Sequence, residues 1–178
     1  MPSSKCVSHF HITLEDCTVE QIQAAANLIG GKVTSIDLVK GDTIVKDRML
    51  TKWQKGSDLL EMRQAVKSLT DTGYKVVRYK LERMIQHLED INKFNITDTN
   101  YLEVHIKVPT TVIREEVFPF VMSSNSKDVD HYFYNSRARS NEQAKIIQNI
   151  IEERFKEYPS HIEYVVYDSN QQHDRWWA

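Results

Sequence analysis

The sequence predicts an α+β protein: tandem duplicated ferredoxin-like βαββαβ units with antiparallel sheets, forming a bilobal single domain. Three observations point there. Segments with period-two alternation recur in both halves of the chain, and segments with helical spacing stand between them. The third is a pair of histidine-bearing strands, His9-Phe10-His11-Ile12-Thr13-Leu14 and Tyr101-Leu102-Glu103-Val104-His105-Ile106-Lys107-Val108. Apolar residues take the even positions in both, from Phe10 and from Leu102 onward. Strand side chains alternate between faces, so His11 and Thr13, like His105 and Lys107, are expected on the face away from the apolar core.

The first half, residues 1–84, reads as strand, helix, strand, strand, helix, strand. Strand one runs from about Val7 to Glu15. Thr18-Val19-Glu20-Gln21 has the form of a capping box, and Val19, Ile22, Ala26 and Ile29 then recur at helical spacing until Gly30-Gly31. Lys32 to Val39 alternates as strand two, and Gly41-Asp42 punctuates a turn. Arg48 to Gln54 is strand three. Ser57 is the expected cap of a second helix with Leu60, Val66 and Leu69 on its buried stripe and Gly73 as its stop. Lys75 to Glu82 is strand four, with Arg78, Lys80 and Glu82 on its polar face.

Residues 85–100 are polar and read as a linker. The second lobe, residues 101–170, starts with Tyr101 to Val108 as strand five. A short helix is expected from about Thr111 to Met122, compromised by Pro119. Ser123 to Asp130 reads as loop, Tyr132 to Arg139 as strand, and Asn141 to Tyr158 as a helix with Ala144, Ile147, Ile151 and Phe155 on one stripe. Ile162 to Asp168 closes the lobe. No clear counterpart of strand two is legible. Residues 171–178 form a polar tail with Trp176 and Trp177.

Composition bounds the function. A chain of 178 residues with 40% apolar and 27% charged content buries an ordinary globular core. A net charge of −2 offers no global attraction for duplex nucleic acid or anionic membrane, so any cationic site is local. No apolar run is long enough for a membrane span, and the start lacks the apolar stretch of a secretory signal. A cytoplasmic location with Cys6 and Cys17 as free thiols is the expectation. The Asn95-Ile96-Thr97 sequon is then idle, and with only five glycines there is no phosphate-binding glycine loop.

If the first and last strands of each unit lie side by side, His9, His11, His105, Arg78, Lys80 and Lys107 gather on the polar face. Such a set suits an anionic, phosphate-bearing ligand. His11-Ile12-Thr13-Leu14 resembles the His-hydrophobic-Thr-hydrophobic signature of the 2H phosphoesterases, which that family carries twice on equivalent strands of a duplicated fold. His105-Ile106-Lys107-Val108 resembles the second copy but has Lys107 where Thr or Ser belongs. The resemblance implies metal-independent cleavage of cyclic phosphodiesters or of 2′,5′-linked and other RNA-type bonds. His11 and His105 would be the catalytic acid/base pair, with Thr13 at the phosphate. Lys107, Arg78, Lys80 and His9 complete the expected substrate-binding set. Two imidazoles that titrate near neutrality can deprotonate the attacking oxygen and protonate the leaving one. No cofactor or metal is called for, and the expected partner is a phosphate-bearing small molecule or an oligonucleotide end. More loosely, the strand Tyr101–Val108 and the run Glu163-Tyr164-Val165-Val166-Tyr167-Asp168-Ser169-Asn170 resemble a bacterial protein family with no established activity.

Other readings compete. The histidines can be packing residues of a sheet, and Arg78-Tyr79-Lys80 a solvated strand face. Tyr132 to Arg139 can stack and neutralise a single nucleic acid strand or simply fill a core. His9 and His11, with His105 and His131, offer imidazoles to a transition metal, but no carboxylate or cysteine completes the set in sequence. The rival to an enzyme is a non-catalytic ligand- or partner-binding module that uses the same cationic face or the tail tryptophans.

Overall fold

The computed structural model describes residues 8–40, 43–97, 99–125 and 128–172. Cys6 and the tail tryptophans lie outside them. Within the described residues the chain is α+β, with eight strands in antiparallel pairings, three α-helices and one 3-10 helix. The residues fall into two compact units. The first comprises the described residues up to Ile36, Lys46–Arg83 and those from Val166 onward; the second comprises Asp37–Val45 and Met84–Val165.

In the first unit the elements are β1 (Ser8–Glu15), α1 (Val19–Ile29), the start of β2 (Lys32–Lys40), most of β3 (Thr43–Gln54), α2 (Leu60–Asp71) and most of β4 (Lys75–Ile85). The strand order is β4-β1-β3-β2. β1 is central, with His11 opposite Thr51 of β3 and Lys80 of β4. Its even positions enter a core with Ile22, Ala25 and Ala26 of α1, Met62 and Leu69 of α2, and Leu50 and Leu81 from the flanking strands. Phe10, Ile12, Leu50 and Leu81 are wholly buried, so each contributes roughly 1.5–3 kcal/mol of apolar transfer.

Local chemistry explains the boundaries. Thr18 and Gln21 close a reciprocal capping box, and Gly30, at φ 68°, takes the left-handed conformation that ends α1. Gly31 then passes so close to β3 that an added Cβ would lie 2.9 Å from the Thr51 carbonyl oxygen. α2 starts later than Ser57 implied, at Leu60. The Asp58 carboxylate accepts the Leu60 N–H and takes the place of the expected serine cap. Gly73 stops that helix as expected, at φ 99°.

The second unit contains η1 (Leu88–Lys93), β5 (Tyr101–Pro109), β6 (Val121–Asn125), β7 (Asp128–Ala138), α3 (Asn141–Arg154) and most of β8 (Ser160–Asp168). Its order is β8-β5-β7-β6, with the end of β2 beyond β6 at Leu38 and Val39. Here His105 of β5 lies opposite Asn135 of β7 and His161 of β8. Leu102, Val104, Ile106 and Val108 pack with Ala144, Ile147, Ile151 and Phe155. Residues 85–100, read as a linker, belong to this unit and place Ile91 and Ile96 in its core.

Two sequence expectations differ here. No helix forms between Thr111 and Met122; the backbone is irregular and the Phe118–Pro119 peptide is cis. Proline removes a helix donor, and tyrosine hydroxyls from β7 bind this backbone instead: Tyr132 donates to Val112 O and Tyr134 to Glu115 O. The loop expected over Ser123–Asp130 contributes residues to β6 and β7, so the strand missing from the sequence reading exists. It is short and polar, Val121-Met122-Ser123-Ser124-Asn125, and so carries little alternation.

Candidate functional site

The strand faces expected to be open are largely buried. His9, Thr13, Arg78, Lys80 and Glu82 in the first unit are all under a tenth exposed, as are Glu103, Asn135, Arg137 and Glu163 in the second. Burial of so many polar groups is tolerable only where charges are neutralised and hydrogen-bonded, and that is how both clusters are built.

In the first unit, His9 and His11 take alternate positions of β1 and meet Glu82, which is in register with His9 on β4. Glu82 Oε2 lies 3.0 Å from His9 Nε2 and 3.3 Å from His11 Nε2, while Glu82 Oε1 pairs with Lys80 Nζ at 2.5 Å. The other nitrogen of His11, Nδ1, is 2.8 Å from Thr51 Oγ1, which is 2.9 Å from Thr34 Oγ1. Trp53 packs on His9 with ring centroids 4.4 Å apart. The His11 side chain is 17% exposed against 2% for Glu82, so the cluster reaches its surroundings through His11.

In the second unit, His105 Nδ1 lies 2.8 Å from Asn135 Oδ1. The amide of Asn135 donates to the Val121 carbonyl and to Ser123 Oγ, which establishes its oxygen as the atom facing the ring. His105 therefore donates from Nδ1, and Nε2 is the nitrogen that gains or loses a proton. Glu103 Oε2 is 3.7 Å from that nitrogen. Ring burial is the largest single influence and opposes the charged form, but Glu103, Asn135 and the charge of Glu163 together outweigh it. The pKa of His105 is raised. Arg137 Nη2 holds Glu103 Oε1 at 3.0 Å and lies over the Tyr101 ring, and His161 pairs with Glu163.

The remaining expected ligand-binding cations are engaged with carboxylates. Arg78 makes a buried two-pronged pair with Asp168, at 3.0 and 2.6 Å. Lys107 pairs with Asp128 at 2.5 Å, and the hydrogen bonds from Lys107 and then His131 hold the Asp128 carboxyl below its ordinary range. Lys107 thus contacts neither His105 nor Glu103 in any described pair. Thr13, opposite Arg78 and Met49 in the ladder, is buried. Cys17 is a free thiol whose pKa is pushed up by burial, against the opposing charge of Arg48.

Sequence reasoning did not select Thr51, Asn135, Arg137, His161 or Glu163 for the site. The period-two pattern carried a usable signal for three of them, since Thr51 alternates with Trp53 and His161 with Glu163 on strands that flank a histidine strand. Comparison with family models, curated proteins and solved structures finds no match to this chain.

Proposed function

We propose that the chain is a tandem duplication of a ferredoxin-like unit acting as a metal-independent phosphoesterase on cyclic phosphodiester or RNA-type phosphate ligands. His11 and His105 are its acid/base pair. The duplication is supported by the strand orders β4-β1-β3-β2 and β8-β5-β7-β6, which repeat one connection pattern along the chain. The observation that carries the function is the matched setting of the two imidazoles. Each sits mid-strand with Nδ1 2.8 Å from a neutral side-chain oxygen of the neighbouring strand, Thr51 or Asn135, and Nε2 near a carboxylate. A ring anchored at Nδ1 exchanges its proton at Nε2, the nitrogen that faces the carboxylate. His105, with its raised pKa, carries the proton to the leaving oxygen as general acid, and His11 acts as general base.

The purified, chelator-treated protein should hydrolyse nucleoside 2′,3′-cyclic phosphates or 2′,5′-linked oligonucleotides. His11→Ala and His105→Ala are each expected to lower kcat by about 10²-fold or more, the usual contribution of a general acid or base. Indistinguishable rates for wild type and His11→Ala would remove the enzymatic reading.

One observation favours the second reading, a non-catalytic ligand- or partner-binding module. Asp168, Glu82 and Asp128 neutralise Arg78, Lys80 and Lys107, the cations a phosphate would engage. Equilibrium binding of the same nucleotides without turnover would establish that alternative.

A further inference from the structure

We infer that His9, His11 and Glu82 form a binding site for a divalent transition-metal ion of the zinc type. Their ligand atoms all lie within 4.8 Å of one another. Zinc holds imidazole nitrogen and carboxylate oxygen at ~2.0–2.2 Å, so adjacent ligand atoms of a tetrahedral site stand roughly 3.3 Å apart. Two edges of the triangle already have that size: Glu82 Oε2 to His9 Nε2 at 3.0 Å and to His11 Nε2 at 3.3 Å. Two imidazoles with one carboxylate select zinc and its neighbours over magnesium or calcium, which prefer all-oxygen sites.

The surroundings orient each ligand. With Nε2 on a metal, His11 carries its proton on Nδ1 and donates to Thr51 Oγ1; Thr51 in turn donates to Thr34 Oγ1 at 2.9 Å. Such outer hydrogen bonds set the tautomer and ring direction of metal-bound histidines. Lys80 Nζ holds the second oxygen of Glu82 and leaves Oε2 turned to the imidazoles. All three ligands project from adjacent strands, β1 and β4, rather than from loops, and that rigidity lowers the ordering cost of binding. Three protein ligands leave a fourth position for water or an added ligand on the more exposed, His11 side.

Zinc on His11 Nε2 occupies the nitrogen assigned above to proton transfer, so the loaded form loses the two-histidine acid/base route. That consequence rests on the phosphoesterase reading; the binding itself does not.

The test is titration of the full, chelator-stripped chain with zinc chloride, followed by calorimetry and tryptophan fluorescence, with magnesium chloride as the control. The expected result is one zinc per chain, a rise in the thermal midpoint and a fluorescence change from Trp53. His9→Ala, His11→Ala and Glu82→Gln are each expected to weaken zinc at least ten-fold, and His131→Ala and His161→Ala to leave it unchanged. Glu82→Gln removes the buried carboxylate charge paired with Lys80 and risks the fold. His11→Ala, at the most exposed ligand and checked by circular dichroism, therefore serves as the deciding variant. A folded wild-type chain that takes up no zinc overturns the inference, as does stoichiometric binding that survives His11→Ala. Zinc binding by a chain that hydrolyses none of the phosphodiesters when stripped of metal sinks only the phosphoesterase reading, whereas hydrolysis by a stripped chain that takes up no zinc sinks only the metal site.

Discussion

In the first unit two histidines share one carboxylate, whereas in the second one strand-central histidine faces two. The strands carrying His11 and His105 occupy the same place in their sheet orders, and each ring is anchored at Nδ1 by the neighbouring strand. The same-face residue two positions earlier differs, His9 in one strand and Glu103 in the other, and that difference changes the chemistry. His9 adds a second imidazole beside Glu82 and creates a chelating triad; Glu103 adds a second buried charge, and Arg137 neutralises it. A strand scaffold thus fixes where an imidazole stands, and its same-face neighbours decide what it does there.

The largest effects that would sharpen this contrast come from the guanidinium groups. Arg78→Ala in the first unit removes the guanidinium paired with Asp168, and Arg137→Ala in the second removes that paired with Glu103. Each is expected to destabilise the fold by ~3–5 kcal/mol in urea unfolding, because removal of one partner of a buried ion pair leaves the desolvated charge with less compensation. A loss below about 1 kcal/mol for Arg137→Ala would show that Glu103 does not depend on it, and the comparison would lose its electrostatic basis.

Smaller losses, on the order of 1–3 kcal/mol, are expected from Asn135→Leu, which leaves the His105 N–H without its acceptor. Thr51→Val should cost His11 less, since the His11 ring can turn its donor to Glu82 instead. Nitrogen-15 NMR offers a direct view of the same difference: neutral His105 should show the tautomer protonated at Nδ1. The opposite tautomer would contradict the orientation assigned to Asn135.

The helix caps provide a milder comparison. Thr18→Ala at α1 and Ser140→Ala at α3 each remove a side-chain acceptor from the first turn, and each should cost about 1 kcal/mol. A single thermal transition that either substitution shifts would show the two units responding as parts of one cooperative fold, and separate transitions would show them melting independently.

The smallest effect is a pH dependence. His105 has a folded-state pKa above the ordinary 6.5, so its protonation contributes stability that is fully present below that value. The contribution is lost as pH rises through the raised folded value. The stability difference between wild type and His105→Gln should therefore shrink from acid to alkaline pH. In NMR titration Glu103→Gln should lower the midpoint of His105; an unchanged midpoint would rule out Glu103 as its support.

Much of the fold is legible residue by residue. The alternation of Phe10, Ile12 and Leu14 places β1, the Thr18–Gln21 capping box starts α1, and Gly30 and Gly73 stop the two helices of the first unit. Each is a local signal, written within a few residues. The sequence misses β6, whose five residues are too few and too polar for a period, and misplaces a helix where tyrosine hydroxyls on β7 claim the backbone. Alternation alone puts His9, His11 and His105 on one face of their strands, but it does not name the partners they meet.

Which side chains share a face of each strand follows from the order of residues, because strand geometry has a period of two and needs no knowledge of neighbours. Which carboxylate meets which imidazole follows from how the strands pair. Glu82 lies 73 residues from His9 along the chain, and antiparallel register alone brings the two within 3.0 Å. A shift of one residue in that register would turn Glu82 to the opposite face and leave the histidines without it.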